Sequence, residues 1–356
     1  MLQIPKTEEL KFAVPYETDI VKMNPFNRWI IDFAQESELV EFFFEHSFES
    51  PIIENDSVIG IKIKDKGEFH GKLVIDCTGR FAVVRNSLPN SLGLLPLRAR
   101  PQRMFTVYMQ RWRCNGDFPK GSNTYVCYKG FANQCGEKIT LVGASTLLGL
   151  EHTKKVREQM IQHHLSDVEH KVLDEFWDEV PYDFPPSNMV ANRFMTIGDS
   201  AFQNKPFNGE GMSSGMEAAR VALPTILRAI MDGKNTREDL WQYNVDYFTG
   251  IGAKFALIRG TGETLVDLSP EDFNWMYKSE FLTKKDMLDT WTKYEVKKGI
   301  GSILKTFFRG MSNIKLFKKV IAGLLLGFKL NKLYKKYPET PEDLDEWELK
   351  FEKLIN

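Results

Sequence analysis

The sequence lacks the patterns that fix a metal centre or a disulfide scaffold. Its four cysteines, Cys77, Cys114, Cys127 and Cys135, contain no C-x-x-C pair, so neither a zinc ribbon nor a disulfide framework is indicated. The six histidines are scattered. His163 and His164 are neighbours and diverge on a helix, so no metal site is expected. No charged leader followed by an apolar run opens the chain, which predicts a reducing, cytoplasmic setting. The 16 prolines and 25 glycines are dispersed, without a repeat or a low-complexity block. Neither a Ser-His-Asp order nor a carboxylate pair suggests a catalytic constellation. One further absence is local. Between Val296 and Pro338 there is no Asp or Glu, against eleven Lys and Arg. That segment carries +11 although the whole chain carries −1, which predicts one face suited to anionic surroundings.

What is present reads as a globular chain of two domains. The 356 residues suffice for a sizeable core. Residues 24–38 open with Asn24-Pro25, a helix start with proline in its first turn. The runs 40–48 and 57–65 read as strands, and 68–80 adds a buried strand that reaches a turn at Gly79. From Met104 to Ser145, β-rich runs separated by Gly and Asn predict an antiparallel sheet. Residues 153–177 read as a helix, 189–197 as a strand, and the chain from about Thr236 as mostly helical.

The densest cluster of small residues follows that last strand, in "IGDSAFQNKPFNGEGMSSGMEAA". Gly209, Gly211 and Gly215 do not form the dinucleotide fingerprint G-x-G-x-x-G, because Ser214 holds the third position. The stretch is instead a strand, a Gly198-Asp199 turn, a Pro-Gly loop and a helix. A carboxylate at a strand end can accept from a sugar or ribityl hydroxyl. Glycines at a helix start let backbone approach a flat or phosphorylated ligand, and the helix N-terminus offers free N–H groups. A tight strand-to-helix connection with helix-packing glycines accounts for the spacing equally well.

These residues resemble flavoproteins of the geranylgeranyl reductase type. The family pattern G-D-A-A, a proline seven residues after the Asp, then G-x-G and a hydrophobic residue falls on Gly198, Asp199, Pro206, Gly209, Gly211 and Met212 without a gap. "LVIDCTGRFAVVR" resembles the family's preceding strand and turn at Asp76, Gly79, Arg80, Val84 and Arg85, with Thr78 and Ala82 as departures. "FNRWIIDFA" is similar to the helix before it, although Met23 replaces an arginine. In the insert, only Tyr125 of the run Tyr125–Gly130 matches the family's prenyl-cavity segment.

The resemblance implies a mixed α/β, Rossmann-like FAD/NAD(P)-binding flavoprotein fold. Residues 1–100 would form the first part of the FAD-binding domain and 101–187 an antiparallel substrate-domain insert. Residues 188–235 would complete the FAD-binding domain, and 236–356 would form a helical C-terminal region. It also implies an FAD cofactor and reduction of isoprenoid double bonds in a prenyl lipid. Nothing before Met23 can supply the family's G-x-G-x-x-G βαβ unit, so the FAD site is expected to be incomplete in this chain unless such a unit is added in trans. A flavin-free remnant acting as a membrane-associated binding protein is the other reading. Cys77 is expected to be a buried thiol.

Residues 313–336 form an amphipathic pattern with Ile314, Phe317, Val320, Ile321, Leu324, Leu325 and Phe328 on one face and Lys315, Lys318, Lys319 and Lys329 beside it. Val320–Phe328 is too short to span a bilayer, which takes about 20 apolar residues. Two readings stay open: a core helix with a solvated lysine flank, or docking of residues 296–338 on an anionic membrane surface by a cytoplasmic, peripheral protein. No aromatic stacking or groove-reading motif accompanies the lysines, so nucleic acid is not expected as a partner.

Overall fold

The computed structural model describes residues 23–100, 103–115, 124–127, 130–134, 138–206, 209–264, 268–279, 283–294 and 313–356. The stretch before Met23, residues 128–129 of the insert run, and 296–312 of the basic segment lie outside them. The chain forms two compact units, Met1–His46 with Met104–Val180, and Ser47–Arg103 with Pro181–Asn356.

In the first unit, helix α1 (Met23–Gln35) precedes the sheet strands β5 (Met104–Cys114), β6 (Thr124–Cys127), β7 (Gly130–Gln134), β8 (Ile139–Thr146) and β9 (His170–Pro181). Their order is β6-β7-β8-β5-β9. On β5 the even positions Thr106, Tyr108, Trp112 and Cys114 are buried, the alternation of a strand with one covered face. Helix α2 (Leu150–His164) lends Met160 to the same core as Trp112 and Val142.

The helix expected over 153–177 stops at His164, and its second half is strand β9. The β-formers Val172, Phe176 and Trp177 among the exposed acids Asp174, Glu175 and Asp178 suit an edge strand. Glu175 is held there by Tyr108 Oη at 2.5 Å and Gln110 Nε2 at 3.1 Å. The strand expected over 40–48 is also corrected. Residues 40–47 are irregular, Glu45 sits at φ +61°, and Val40 and Phe44 are exposed, so no sheet face rewards an extended chain there.

The second unit holds two three-stranded sheets and most of the helices. Strands β1 (Phe48–Glu54), β2 (Ser57–Ile63) and β3 (Gly67–His70) form an antiparallel meander. Strands β4 (Val74–Asp76), β10 (Val190–Ala191) and β11 (Phe194–Thr196) are ordered β10-β11-β4. β11 runs parallel to β4, with Thr196 opposite Asp76. The single strand expected over 189–197 is a hairpin, because Arg193 turns the chain at φ +59°. Its N–H donates to Asn235 O at 2.7 Å and its carbonyl accepts from Val74 N at 2.9 Å. β4 is an edge strand, and its Ile75 is partly exposed where a fully buried strand was expected.

The helices are α3 (Met212–Met231), α4 (Arg237–Tyr247), α5 (Ala253–Gly262), α6 (Pro270–Lys278), α7 (Lys284–Lys293), α8 (Ile314–Tyr334) and α9 (Leu344–Ile355). A capping box of Thr236 and Asp239 starts α4. Phe248, Tyr334, Tyr337 and Trp347 form an aromatic core, with Phe248 stacked on Tyr337 at 4.3 Å.

α8 buries Leu316, Val320, Gly323, Gly327, Leu330 and Tyr334. A Cβ on Gly327 would lie 2.4 Å from Leu257 O of α5, so two helix backbones meet there. The buried face is therefore turned away from much of the apolar stripe read from the sequence. Ile314, Leu325 and Phe328 are each more than half exposed, and only part of the stripe, with Phe317 and Leu324, packs against α6. Among the described residues no helix is long and apolar enough to cross a membrane.

Candidate functional site

Two turns leave the carboxyl ends of the adjacent parallel strands β4 and β11, the position at which open α/β sheets bind ligands. The first turn is built on Asp76, which is fully buried. Its Oδ1 accepts from Thr78 N at 2.9 Å and Thr78 Oγ1 at 2.6 Å, and its Oδ2 accepts from Arg85 N at 2.8 Å. Thr78, which departs from the family pattern, takes over part of the turn: its Oγ1 also accepts from Val83 N at 2.7 Å. The buried Arg85 guanidinium donates to Leu95 O and Asn188 O. Burial lowers its pKa to about 10, against the pull of Asp76. Asp76 and Arg85 thus shape the turn from behind.

The second turn is a 3-10 turn over Gly198–Ala201. Ser200 Oγ ties it to the first by donating to Asp76 O at 2.6 Å. Gln203 Oε1 accepts from Gly198 N at 2.7 Å, while Gln203 Nε2 donates to Tyr243 Oη at 2.8 Å. Gly79 at φ +74° and Gly198 at φ +77° lead the two turns. Both need the left-handed region that glycine adopts without strain, and a Cβ on either would meet open space.

The loop from Lys205 to Gly211 delivers α3 to the same place. Lys205 N donates to Glu210 O at 3.0 Å, Gly209 N to Lys205 O at 2.9 Å, and Lys205 Nζ pairs with Glu210 at 2.9 Å. Pro206 is buried in this loop, and Gly209 turns it at φ +72°. α3 then starts at Met212, with Gly211 as its N-cap and no side-chain cap. The Asp199 carboxylate lies beside Gly211, and Gly215 faces Gly198.

The structure brings Gly198, Asp199, Gly211 and Met212 together. It sets Gly79 and Arg80 on the neighbouring turn, where the Arg80 guanidinium lies 4.4 Å from the Phe81 ring centre. Pro206 and Gly209 form the approach. Cys77 is exposed, not buried as expected, because the chain turns outward directly after β4. Sequence reasoning missed Ser200, Gln203 and Tyr243, which lock the turns; no motif marks them.

Backbone at two left-handed glycines facing open space, a carboxylate and an uncapped helix N-terminus form a donor and acceptor set that fits the ribityl and ring end of a flavin. Among the described residues no His, Cys, Asp and Glu cluster suits a metal ion.

No family model matches the chain. It is 25% identical over 240 residues to the digeranylgeranylglycerophospholipid reductase of Sulfolobus acidocaldarius, covering 67% of this chain and 50% of that protein. It is 24% identical over 237 residues to digeranylgeranylglycerophospholipid reductase 2 of Methanococcoides burtonii, covering 63% of this chain and 56% of that protein. The chain thus spans about half the length of the curated relatives it matches. Among solved structures, a geranylgeranyl bacteriochlorophyll reductase-like protein of Thermoplasma acidophilum superposes with a TM-score of 0.64 at 16% identity, covering 84% of this chain and 74% of that one. The flavin-dependent brominase Bmp2 superposes with a TM-score of 0.58 at 15% identity, covering 83% and 75%. These likenesses show the flavoprotein fold.

Proposed function

We propose that the chain is an FAD-dependent oxidoreductase of the geranylgeranyl reductase type, in keeping with the relatives it resembles, and that it serves the reduction of isoprenoid double bonds in prenyl lipids. The observation that carries this reading is the meeting of the Gly79 and Gly198 turns, after parallel strands β4 and β11, with the uncapped start of α3. When bound, reduced FAD would supply the hydride, and water the proton, that saturation of an isoprenoid double bond takes up. Asp199 would accept from a ribityl hydroxyl, and Gly198 and Gly79 would let backbone lie close to the cofactor. The N-terminal N–H groups of α3 would face the negative edge of the reduced ring. Pro206, Gly209 and Met212 would set the loop and helix start at the required distance, and Arg80 would border the site.

We take this set to serve the ribityl and ring end of FAD, with the adenosine contacts carried by a further βαβ unit. The exposed apolar stripe of α3 (Met216, Leu223, Leu227 and Ile230) and Ile75 on the edge strand β4 support that reading, since such a face and edge call for a partner. A flavin-free binding protein of the same fold is the second reading. The membrane role proposed for α8 draws support from its outer face, where Lys318, Leu325, Lys329 and Lys332 are all exposed.

The test is an absorption spectrum of the purified chain, alone and with a G-x-G-x-x-G βαβ unit fused upstream or co-expressed. The expected result is a nearly colourless chain that becomes yellow, absorbing near roughly 450 nm, once the unit is supplied, because losing half the contacts costs far more than half the affinity. Stoichiometric flavin in the chain alone would refute the incomplete site. A chain colourless under both conditions would favour the flavin-free reading.

A further inference from the structure

Beyond Gln203 the loop reaches Asn204, which holds a buried cation. Arg259 of α5 is 2% exposed, and its Nη2 donates to Asn204 Oδ1 at 3.2 Å. Its Nε and Nη1 are buried without a hydrogen-bond partner. The hydroxyls of Tyr247 and Tyr334 are likewise buried and unpartnered. Arg259, Tyr247, Tyr334 and Asn204 all line one small cavity, otherwise walled by apolar groups such as Phe184 and Phe255. The space is enough for one water or one monatomic ion.

The charges around this cavity do not balance. Arg100 pairs with Asp183 at 2.6 Å, and Arg103 pairs with Glu263 at 2.6 Å. Among the described residues these two acids are matched by those two arginines, and Arg259 has no carboxylate within ion-pair distance. The rings of Tyr182 and Phe184, each 5.4 Å from the guanidinium carbon, supply only a weak π contribution. A buried cation without a counter-charge is costly. A water in the cavity would satisfy some N–H groups but would leave the charge uncompensated.

We propose that the cavity is a binding site for a halide-sized monoanion, held by Nε and Nη1 of Arg259 and by the hydroxyls of Tyr247 and Tyr334. The four donors and the single excess positive charge suit one negative ion that accepts from several sides and needs no particular shape. The proposal does not depend on the flavin site, since its residues belong to α4, α5, α8 and the Asn204 loop.

The experiment is thermal unfolding of the whole chain while chloride or bromide replaces gluconate, an anion too large for the cavity, at constant ionic strength. The midpoint temperature should begin to rise near the halide dissociation constant and go on rising with the logarithm of halide concentration, as binding to the native state requires. The double variant Tyr247→Phe/Tyr334→Phe should raise the halide concentration at which the midpoint begins to rise by roughly a hundredfold or more, the loss expected for two hydrogen bonds to a charged group. Crystals grown in bromide should show an anomalous peak beside the Arg259 guanidinium. Arg259→Met should abolish the halide effect; if that variant fails to fold, the tyrosine variant still decides. Equal midpoints in gluconate and halide, a halide response unchanged in the double variant, or a bromide crystal with no peak at Arg259 would overturn the proposal.

Discussion

The Asp199 carboxylate lies so close to Gly211 that a Cβ there would stand 2.8 Å from Oδ1 and 3.1 Å from Oδ2. A residue three positions after β11 and the cap of α3 are thereby fitted to each other. Gly211→Ala is expected to destabilise the chain by about 1–3 kcal/mol, the cost of overpacking. In an Asp199→Ala background the same change should cost little, because the clashing group is gone. Urea unfolding of the four variants measures the coupling; equal costs in both backgrounds would show that the contact is not what excludes a side chain.

Asp199→Ala should also weaken flavin binding where flavin is bound, by about 1.5–3 kcal/mol for a lost charged acceptor. Flavin retained through gel filtration, compared between variant and parent, reads this directly. Undiminished retention would reduce Asp199 to a turn residue.

Gly327→Ala should be among the most destabilising single changes in the chain. The new methyl would meet Leu257 O at 2.4 Å and Thr261 Oγ1 at 2.5 Å, and backbone cannot swing aside as a side chain can. A loss of about 1–3 kcal/mol or more is expected, against a few tenths for Ala322→Ser on the exposed face of the same helix. A tolerated Gly327→Ala would mean that α5 and α8 stand further apart than described.

Asp183 gives the chain an acid-side dependence. Burial pushes its carboxyl up, but hydrogen bonds from the Arg100 side chain and from the Arg100 and Phe184 backbone outweigh burial and hold it below its usual 3.8. Because the folded value is the lower one, its stabilisation is present above 3.8 and is lost as pH falls through the folded value. Glu263, which burial holds above its usual 4.5, titrates in both proteins and largely cancels in a difference. The stability gap between parent and Asp183→Asn should thus be flat from about pH 5 to 7, at about 3–5 kcal/mol for a broken buried pair, and shrink below about pH 4. A gap independent of pH down to about pH 3 would count against the pair.

Helix α8 should bind vesicles of anionic lipid and release them in high salt, since screening removes the attraction of Lys318, Lys329 and Lys332. Co-sedimentation over a salt series checks this. Absence of binding at low salt would leave α8 as a packed helix with a solvated flank.

The parts of this protein written in local pattern could be read from the sequence. The Gly198-Asp199 turn, the helix that follows Gly211 and the antiparallel sheet over residues 104–145 all come from short-range signals: punctuating glycines and β-rich runs. What escaped depended on distant partners. Strand β9 looks helical until Glu175 finds Tyr108. The buried face of α8 was misplaced because Gly323 and Gly327 are buried by close backbone approach, which no hydrophobicity pattern registers. Ser200 and Gln203 are ordinary polar residues until β4 and β11 adjoin. Arg259 carried a faint signal, a lone cation ending the apolar run Phe255–Ile258.

The parallel pairing of β4 with β11 sets a timetable for the nascent chain. Val74 must wait for Phe194, its partner in register, and roughly 120 residues emerge from the ribosome in between, a loop whose closure is entropically expensive before any contact repays it. The β5–β9 sheet lies wholly within that interval and joins partners nearer in sequence than Val74 and Phe194, so it can form first as chains fold from their N-terminal side. The two glycine turns come together only afterwards, when Ser200 reaches Asp76. Ligand binding at these turns thus cannot precede the emergence of Gly211, and agents that slow long-range closure should delay the acquisition of ligand-binding ability without delaying the appearance of β structure.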